Sequence, residues 1–369
     1  MGKSINWIGI DDHADKLTIC LLVGDEKTAA KEWEIAPTDA GLRHLIRWIK
    51  GLGGEARCVY EAGPCGYNLY RFLSSKGINC SVAAPSLTPR KPGDRVKTNR
   101  RDARKLAELF RAGVLTTIVV PNQRQESVRD LLRARDDVRK NVMSARHRLG
   151  KFLLRHGLRF RDGRSWGQQH WRWIRSTVMN EACEQIVLGH YINALEASLE
   201  QLRLLDEQVI EVAQEQDYAP MVAKLCTLRG IDVLSAMTIL AELGDFRRFA
   251  SAPQLMAAVG LVPSEYSTGE KTIRFSITKT GNAHARHILL QAAWHYQHAP
   301  REGVTLRSRR RGQPPHVVAI ARKAEQRLHR KYRRMVARGK RSTVAATAVA
   351  RELTGFIWAI GQQLRADLA

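Results

Sequence analysis

Residues 5–23 read INWIGIDDHADKLTICLLV: two apolar, β-rich runs, Ile5–Ile10 and Leu17–Val23, on either side of the polar stretch Asp11–Lys16. Apolar runs of six or seven residues around a polar break predict a β-hairpin with DDHADK as its turn. A third strand is expected near Lys31–Ile35. Thr38 or Asp39 then caps a helix with Leu42, Leu45, Ile46 and Ile49 on one face, and Gly51 stands past its end. ARCVYE (56–61) is a short strand of the buried type, a helix from about Tyr67 to Lys76 stops at Gly77, and Asn79–Ala83 makes another strand. Pro85, Pro89, Pro92 and Gly93 break the pattern into a loop. Thr98 or Asn99 opens the helix RRDARKLAELFRAG, which stops at Gly113.

Three strands, a helix, then alternating strand and helix is the order of an RNase H-like α/β domain, here spanning about residues 1–120. The rest of the chain is mainly α. Between about Gln125 and His156 there is no proline, and Val128, Leu131, Leu132, Val138, Val142, Leu149, Phe152 and Leu153 keep helical spacing. A second long helix, about Glu184–Gln216, carries Leu195, Leu199, Leu202 and Val209. Together they predict an antiparallel helical arm or coiled coil over 121–218, a spacer or dimerisation element. An aromatic and basic stretch, RFRDGRSWGQQHWRWIR, lies between them. Residues 219–300 form a compact unit and 301–369 a basic helical tail. Within the unit, LCTLRGIDVLSAMTILAELGDFRRF resembles a helix-hairpin-helix, with Gly230 in the turn and open N–H groups at the next helix start for a phosphate. An ordinary helical hairpin is the alternative.

The 369 residues favour two or three domains, and 44% hydrophobic content suffices for folded cores. Sixty Lys and Arg against 36 Asp and Glu give a net charge of +24. That field selects a polyanion, and nucleic acid is the commonest large one. The N-terminus lacks a signal-peptide pattern, Asn6 spoils a myristoylation motif, and no stretch approaches a spanning helix, so a cytoplasmic protein with no membrane partner is expected. Six cysteines without a C-x-x-C pair read as reduced core residues, which argues against zinc. Between 301 and 341 there are 15 Lys and Arg against 2 acidic residues, a density that suits phosphate-backbone contact.

Asp11 at the end of the first strand, Glu61 at the end of ARCVYE and Asp102 in a later helix are the candidate catalytic carboxylates. Strand ends of such a sheet converge on one rim, and carboxylates gathered there require divalent cations between them. Two Mg²⁺ ions would stabilise the attacking and leaving oxygens of a phosphoryl transfer. Asp12 and Asp94 are possible substitutes, although Asp12 faces the opposite side if Asp11 keeps strand geometry.

The segments IGIDDHADKLTICLL, VYEAGPCGYNLYRFL and RVKTNRRDARKLAELFRAG resemble the N-terminal domain of the DEDD-type insertion-sequence transposases (insertion sequence 110/1111 group), itself similar to the Holliday-junction resolvase RuvC. The resemblance carries Asp11, Glu61 and Asp102 to the first, second and last acidic positions. Asn99 stands where the family's T-D-x-x-D motif has an Asp; its amide oxygen can coordinate a metal without adding charge. GLVPSEYSTGEKTIRFSITKTGNAHARHILLQAAWHY is similar to the family's C-terminal transposase domain, with Gly-Leu-x-Pro, a Ser-Gly turn and Lys-x-Gly-Asn. This implies a serine nucleophile that joins a DNA 5′ phosphate, activated by the metals. Ser267 is the first choice and Thr268, directly before Gly269, the alternative; Ser264 and Ser276 are taken as structural. The tail motif VAATAVARELTGFIWAI extends the resemblance over nearly the whole chain. It further implies double-stranded DNA and a structured guide (bridge) RNA as partners, and a homodimer or homotetramer. Candidate nucleic-acid contacts are Arg100, Arg101, Gly230, Lys279, Asn282, Arg309, Arg310 and Arg311. A simple RuvC-like nuclease or DNA invertase, and a non-enzymatic basic nucleic-acid-binding protein, are the rival readings.

Overall fold

In a computed structural model, residues 4–89, 98–268 and 271–362 are described, and they divide into two compact units, 1–121 and 122–369. The first unit holds β1 (Ile5–Asp12), β2 (Leu17–Val23), β3 (Lys31–Ile35), α1 (Asp39–Lys50), β4 (Glu55–Glu61), α2 (Asn68–Ser75), β5 (Asn79–Ala83) and α3 (Asn99–Arg111). Its five strands lie in the order β3-β2-β1-β4-β5; β2 is antiparallel to β1 and β3, and β4 is parallel to β1 and β5.

Side chains alternate across the sheet. Ile8, Ile10, Ile19, Leu21, Cys58, Tyr60 and Val82 pack in one cluster with Leu45 and Ile49 of α1 and Leu69 and Leu73 of α2. On the other face Cys20, Leu22, Val59 and Ala83 meet Ala103, Leu106 and Ala107 of α3. Gly9 makes that second packing possible. A Cβ on it would stand 2.0 Å from the Ala103 carbonyl oxygen and 2.6 Å from the Ala107 nitrogen, so helix backbone rests directly on strand backbone.

The boundary that bears on the site differs from the sequence reading. β1 continues through Asp12, and the turn shrinks to the four residues His13–Lys16, closed by a His13 N–H to Lys16 carbonyl bond of 3.1 Å. The first strand's hydrogen-bond ladder, with Asp11 opposite Thr18, holds the two aspartates extended. Asp94 falls outside the described residues.

The second unit comprises α4 (Gln123–Arg155), α5 (Gln168–Ser176), α6 (Ala182–Val212), α7 (Ala219–Leu225), α8 (Val233–Leu243), α9 (Ala252–Ala258), β6 (Pro263–Thr268), β7 (Lys271–Ile277), α10 (Ala283–Trp294), α11 (Val304–Arg310), α12 (Pro315–Ala337) and α13 (Ser342–Gln362). Helices α4 and α6 run antiparallel, as the pairs Arg135–Asp206 and His156–Glu184 require. Their far ends enclose a separate cluster with Leu149, Phe152, Leu188, Leu195 and Ile174 of α5. The near end of α4 joins the main core through Val128 and Leu132.

The segment read as a basic tail supplies much of that core, including Val317, Ala321 and Leu328 of α12 and Val349, Leu353 and Ile357 of α13. Helix α13 is 21 residues long and, by length and composition, apolar enough to cross a membrane, which corrects the reading that no stretch approaches this. Ala345, Ala346, Val349, Ala350, Leu353 and Ile357 sit fully or nearly fully buried, which accounts for that composition within a protein core. A second correction concerns the Ser-Gly turn. The structure has two strands there, β6 and β7, paired antiparallel with Ser267 opposite Thr272 and Thr268 opposite Lys271. The Ser-Thr pair read as a turn is the end of a strand, where both residue types are at home.

Candidate active site and nucleic-acid surfaces

The sheet register decides which carboxylates meet. Ile10 pairs with Tyr60 in the parallel β1–β4 ladder, so Asp11 and Glu61 are the next residues on neighbouring strands, about 5 Å apart at the backbone. Both project to the face covered by α3, since Gly9, two residues before Asp11, and Val59, two before Glu61, touch that helix. Phe110 packs edge-on against Trp7 at 5.5 Å while Ala103 lies on Gly9, so α3 runs against β1 and its first turn points toward Asp11. That turn carries Asn99 and Asp102, both half-buried, and the exposed Arg100 and Arg101; Thr98 caps it through Oγ1 accepting from the Arg101 N–H at 3.4 Å.

Asp11 lies 3.1 Å from His13 Nε2, and Glu61 accepts from Thr88 Oγ1 at 3.0 Å. Directly across from Asp11, the fully buried Thr18 hydroxyl has no hydrogen-bond partner among the described residues. Asp12 is on the opposite face. Its carboxyl is pushed up by burial, against the lowering effect of Cys65, so it is poorly suited to hold a cation there. Among the described residues no three His, Cys, Asp or Glu side chains converge enough to enclose an ion alone. The donors present are nevertheless oxygens on one face, two of them adjacent carboxylates, with an unsatisfied hydroxyl beside them. That set suits a hard divalent ion whose remaining ligands are water and substrate phosphate.

In the second unit Ser267 and Thr268 are consecutive in β6 and point to opposite faces of the hairpin. Ser267 donates from Oγ to Glu265 Oε1 at 2.8 Å, on its own face. Tyr266 shares the Thr268 face, opposite Ile273; these two and Phe275 are 51–60% exposed. Ser264 donates to the Ser276 carbonyl across the strands.

Sequence reasoning missed what anchors this hairpin. Glu242 is a single carboxylate in the apolar helix α8, nearly sealed from water. It accepts from Arg133 at 2.9 and 3.1 Å and from Asn282 Nδ2 at 2.6 Å, with Arg129 at 3.7 Å. Burial pushes its carboxyl up, but the bonds from Arg133 and Asn282 and the charge of Arg129 outweigh this and hold it below the usual range. Asn282 also caps α10, its Oδ1 accepting from the Ala285 N–H at 2.9 Å. Lys279, exposed and in the left-handed region at φ 56°, donates its backbone N–H to the Gly260 carbonyl. The Lys-x-Gly-Asn motif therefore clamps the base of β7 to α8, α9 and α10. An isolated Glu in VLSAMTILAEL was the available signal, because an apolar helix keeps a carboxylate only when it is paired.

The remaining predicted contacts differ in exposure. Gly230, at φ 81°, is closely overlain by α10, a Cβ there standing 2.6 Å from the Ala292 carbonyl oxygen. Arg309 donates to the Ile231 carbonyl. Arg310 is buried, bonded to the Thr227 carbonyl and Glu302, and 3.2 Å from Glu325. Only Arg311 of these three is fully exposed. On α12, by contrast, Lys323, Arg330, Arg333 and Arg334 line shallow open grooves.

Comparison with known sequences matches residues 8–157 to the DEDD-type IS110 transposases and residues 222–305 to the family described as Transposase IS116/IS110/IS902. The y4qE protein of Sinorhizobium fredii, described as a transposase, is 41% identical over 97% of this chain and 89% of its own length. The transposase for insertion sequence element IS1533 of Leptospira borgpetersenii is 32% identical, covering 91% and 98%. The transposase for insertion sequence element IS1111A of Coxiella burnetii is 25% identical over 79% and 78%.

Proposed function

The chain belongs to the IS110 family of DEDD-type transposases, enzymes that cleave and recombine DNA, and from that premise we propose how its two units share the chemistry. The observation that carries the proposal is the in-register placement of Asp11 and Glu61 on the face where Gly9 admits the first turn of α3. The strand order, with β1–β3 antiparallel and β4 and β5 parallel, supports an RNase H-like, RuvC-related domain.

Asp11 and Glu61, with Asp102 and the uncharged Asn99 contributed by α3, would hold Mg²⁺, two ions in the full site. Bound there, the metal supplies charge neutralisation at the scissile phosphate and a lowered pKa for a coordinated hydroxyl. Arg100 and Arg101, exposed on the same turn, would take the flanking phosphates. Ser267 is the nucleophile. Its Oγ attacks phosphorus, forming an Oγ–P bond as the P–O3′ bond breaks; the serine proton passes to the Glu265 carboxylate, and the departing 3′ oxygen takes a proton from water. Strand joining reverses these steps. The Ser267–Glu265 hydrogen bond favours Ser267, while Thr268 faces away from that carboxylate.

A structured RNA guide, double-stranded DNA ends and target, and a dimer or tetramer complete the reading; the charge of +24 supports the polyanionic partners. The test is Mg²⁺-dependent cleavage of a supercoiled plasmid bearing the element ends, with the flanking RNA added. Asp11→Ala and Ser267→Ala should each abolish cleavage. Cleavage surviving in Ser267→Ala but not in Asp11→Ala would instead favour direct hydrolysis by the carboxylate site.

A further inference from the structure

The far end of the α4–α6 hairpin carries a feature that catalysis does not use. Trp166, two residues before α5, adopts φ 64°, a conformation that a bulky side chain takes only when its surroundings force it. The Trp166 N–H is held by Nδ1 of His170 at 2.7 Å. Burial lowers the pKa of His170, which keeps that nitrogen an acceptor, and its ring stacks at 16° on Trp173. Trp166 and Trp171 thereby line an open groove of about 950 Å³ together with Gln168, Arg172, Glu196 and Glu200.

We infer that this groove is a binding site for an unpaired nucleotide of single-stranded nucleic acid, with tryptophan faces for the base and arginines for its phosphates. A guanidinium lies over one face of each tryptophan, Arg146 over Trp166 at 5.4 Å and Arg175 over Trp171 at 5.2 Å, and braces the ring from that side. The two carboxylates are neutralised by arginines, Glu196 by Arg175 and Glu200 by Arg203. They remain acceptors for the exocyclic amine of a base, with the Gln168 amide beside them. Charge complementarity selects the occupant. Between residues 157 and 175, Arg159, Arg161, Arg164 and Arg172 are exposed against the single acid Asp162. Helix α5 also begins without a side-chain cap, leaving its first N–H groups open to a phosphate. A groove of this volume is within the range that takes a small ligand.

The test uses the full chain carrying Asp11→Asn, so that cleavage plays no part, and fluorescence anisotropy of short labelled oligonucleotides. Single-stranded DNA, RNA of the same sequence and the corresponding DNA duplex are titrated in parallel, the first two distinguishing the source of the nucleotide. Trp171→Ala should weaken single-strand binding about 10-fold or more, Trp171→Phe should retain most of it, and duplex binding should hardly change. Arg172→Glu, at an exposed position, should weaken the single strands without disturbing the fold, and it decides the matter if Trp171→Ala unfolds by circular dichroism. Single-strand affinity unchanged in Arg172→Glu and in folded Trp171→Ala would overturn the inference. So would a changed oligomeric state on light scattering with unchanged affinity, which would make a second copy the occupant.

Discussion

The carboxylate rim of the first unit and the β6–β7 hairpin of the second, which carry the residues proposed for catalysis, are built in opposite ways. Asp11 and Glu61 lie at the ends of central strands of a five-stranded sheet with a helix layer on each face, directly after the paired core residues Ile10 and Tyr60. Ser267 lies on a two-stranded ribbon whose Tyr266, Ile273 and Phe275 are largely exposed. Such a ribbon has little independent stability. Its base is tied down where Asn282 donates to Glu242, which Arg133 holds in turn. The contrast teaches that the carboxylate rim is placed by its own core, whereas the ribbon hydroxyl is placed by a hydrogen bond to Glu265 on its own strand.

The largest effect that would break this contrast is chemical. Asp11→Asn should lower strand cleavage by about three orders of magnitude or more, as loss of several kcal/mol of transition-state stabilisation implies, while the melting temperature barely moves. A large fall in melting temperature would mean that Asp11 is structural. Next comes the anchor. Glu242→Ala leaves the largely buried Arg129 without its carboxylate and Asn282 without its acceptor, while the 45% exposed Arg133 can turn to water; chemical denaturation should show a loss of about 3 kcal/mol in the second unit, the low end for breaking a buried pair. Because the Glu242 carboxyl is held below its ordinary value in the folded state, the stability it contributes is present above about pH 4.3 and is lost as the pH falls through the lower folded value. Glu242→Gln should flatten that acid limb of the stability profile.

Gly9→Val tests the first unit. The added side chain would enter α3 backbone, and a loss of about 1–3 kcal/mol is expected, with cleavage falling as the first turn of α3 leaves Asp11. The smallest effect belongs to the ribbon: Phe275→Ser should change stability by less than about 0.5 kcal/mol, the result expected of an exposed side chain. A loss several times larger would show that the ribbon has a packed face of its own.

Much of the first unit was legible because alternation and helical periodicity are local signals: β1, β2, β4 and α3 lie close to where their apolar patterns put them, and Asp11 and Glu61 follow from the strand ends. The contact of Gly9 with α3 was not read, although an isolated glycine in an apolar strand is a recognised sign of close backbone approach. In the second unit two of the failures share one cause. Asn282 and Arg310 look like surface residues in a basic segment, and their meaning depends on Glu242 and Glu302 or Glu325, partners 40 residues away in one case and 8 or 15 in the other. Distance along the chain hides a pairing that the fold makes close. The strand β6 was obscured for a simpler reason, since Ser267 and Thr268 are as acceptable in a turn as in a strand.

We propose that the Ser267 hydroxyl attacks DNA in a reaction that also requires the carboxylates of the first unit. The most direct measurement is to stall the reaction on a nicked element-end substrate with Mg²⁺ present and identify the protein–DNA adduct by mass spectrometry. The account predicts a phosphodiester to Ser267 in the unmodified chain and none in Asp11→Asn. An adduct on Thr268 or another residue, or cleavage that proceeds with no adduct, would contradict it.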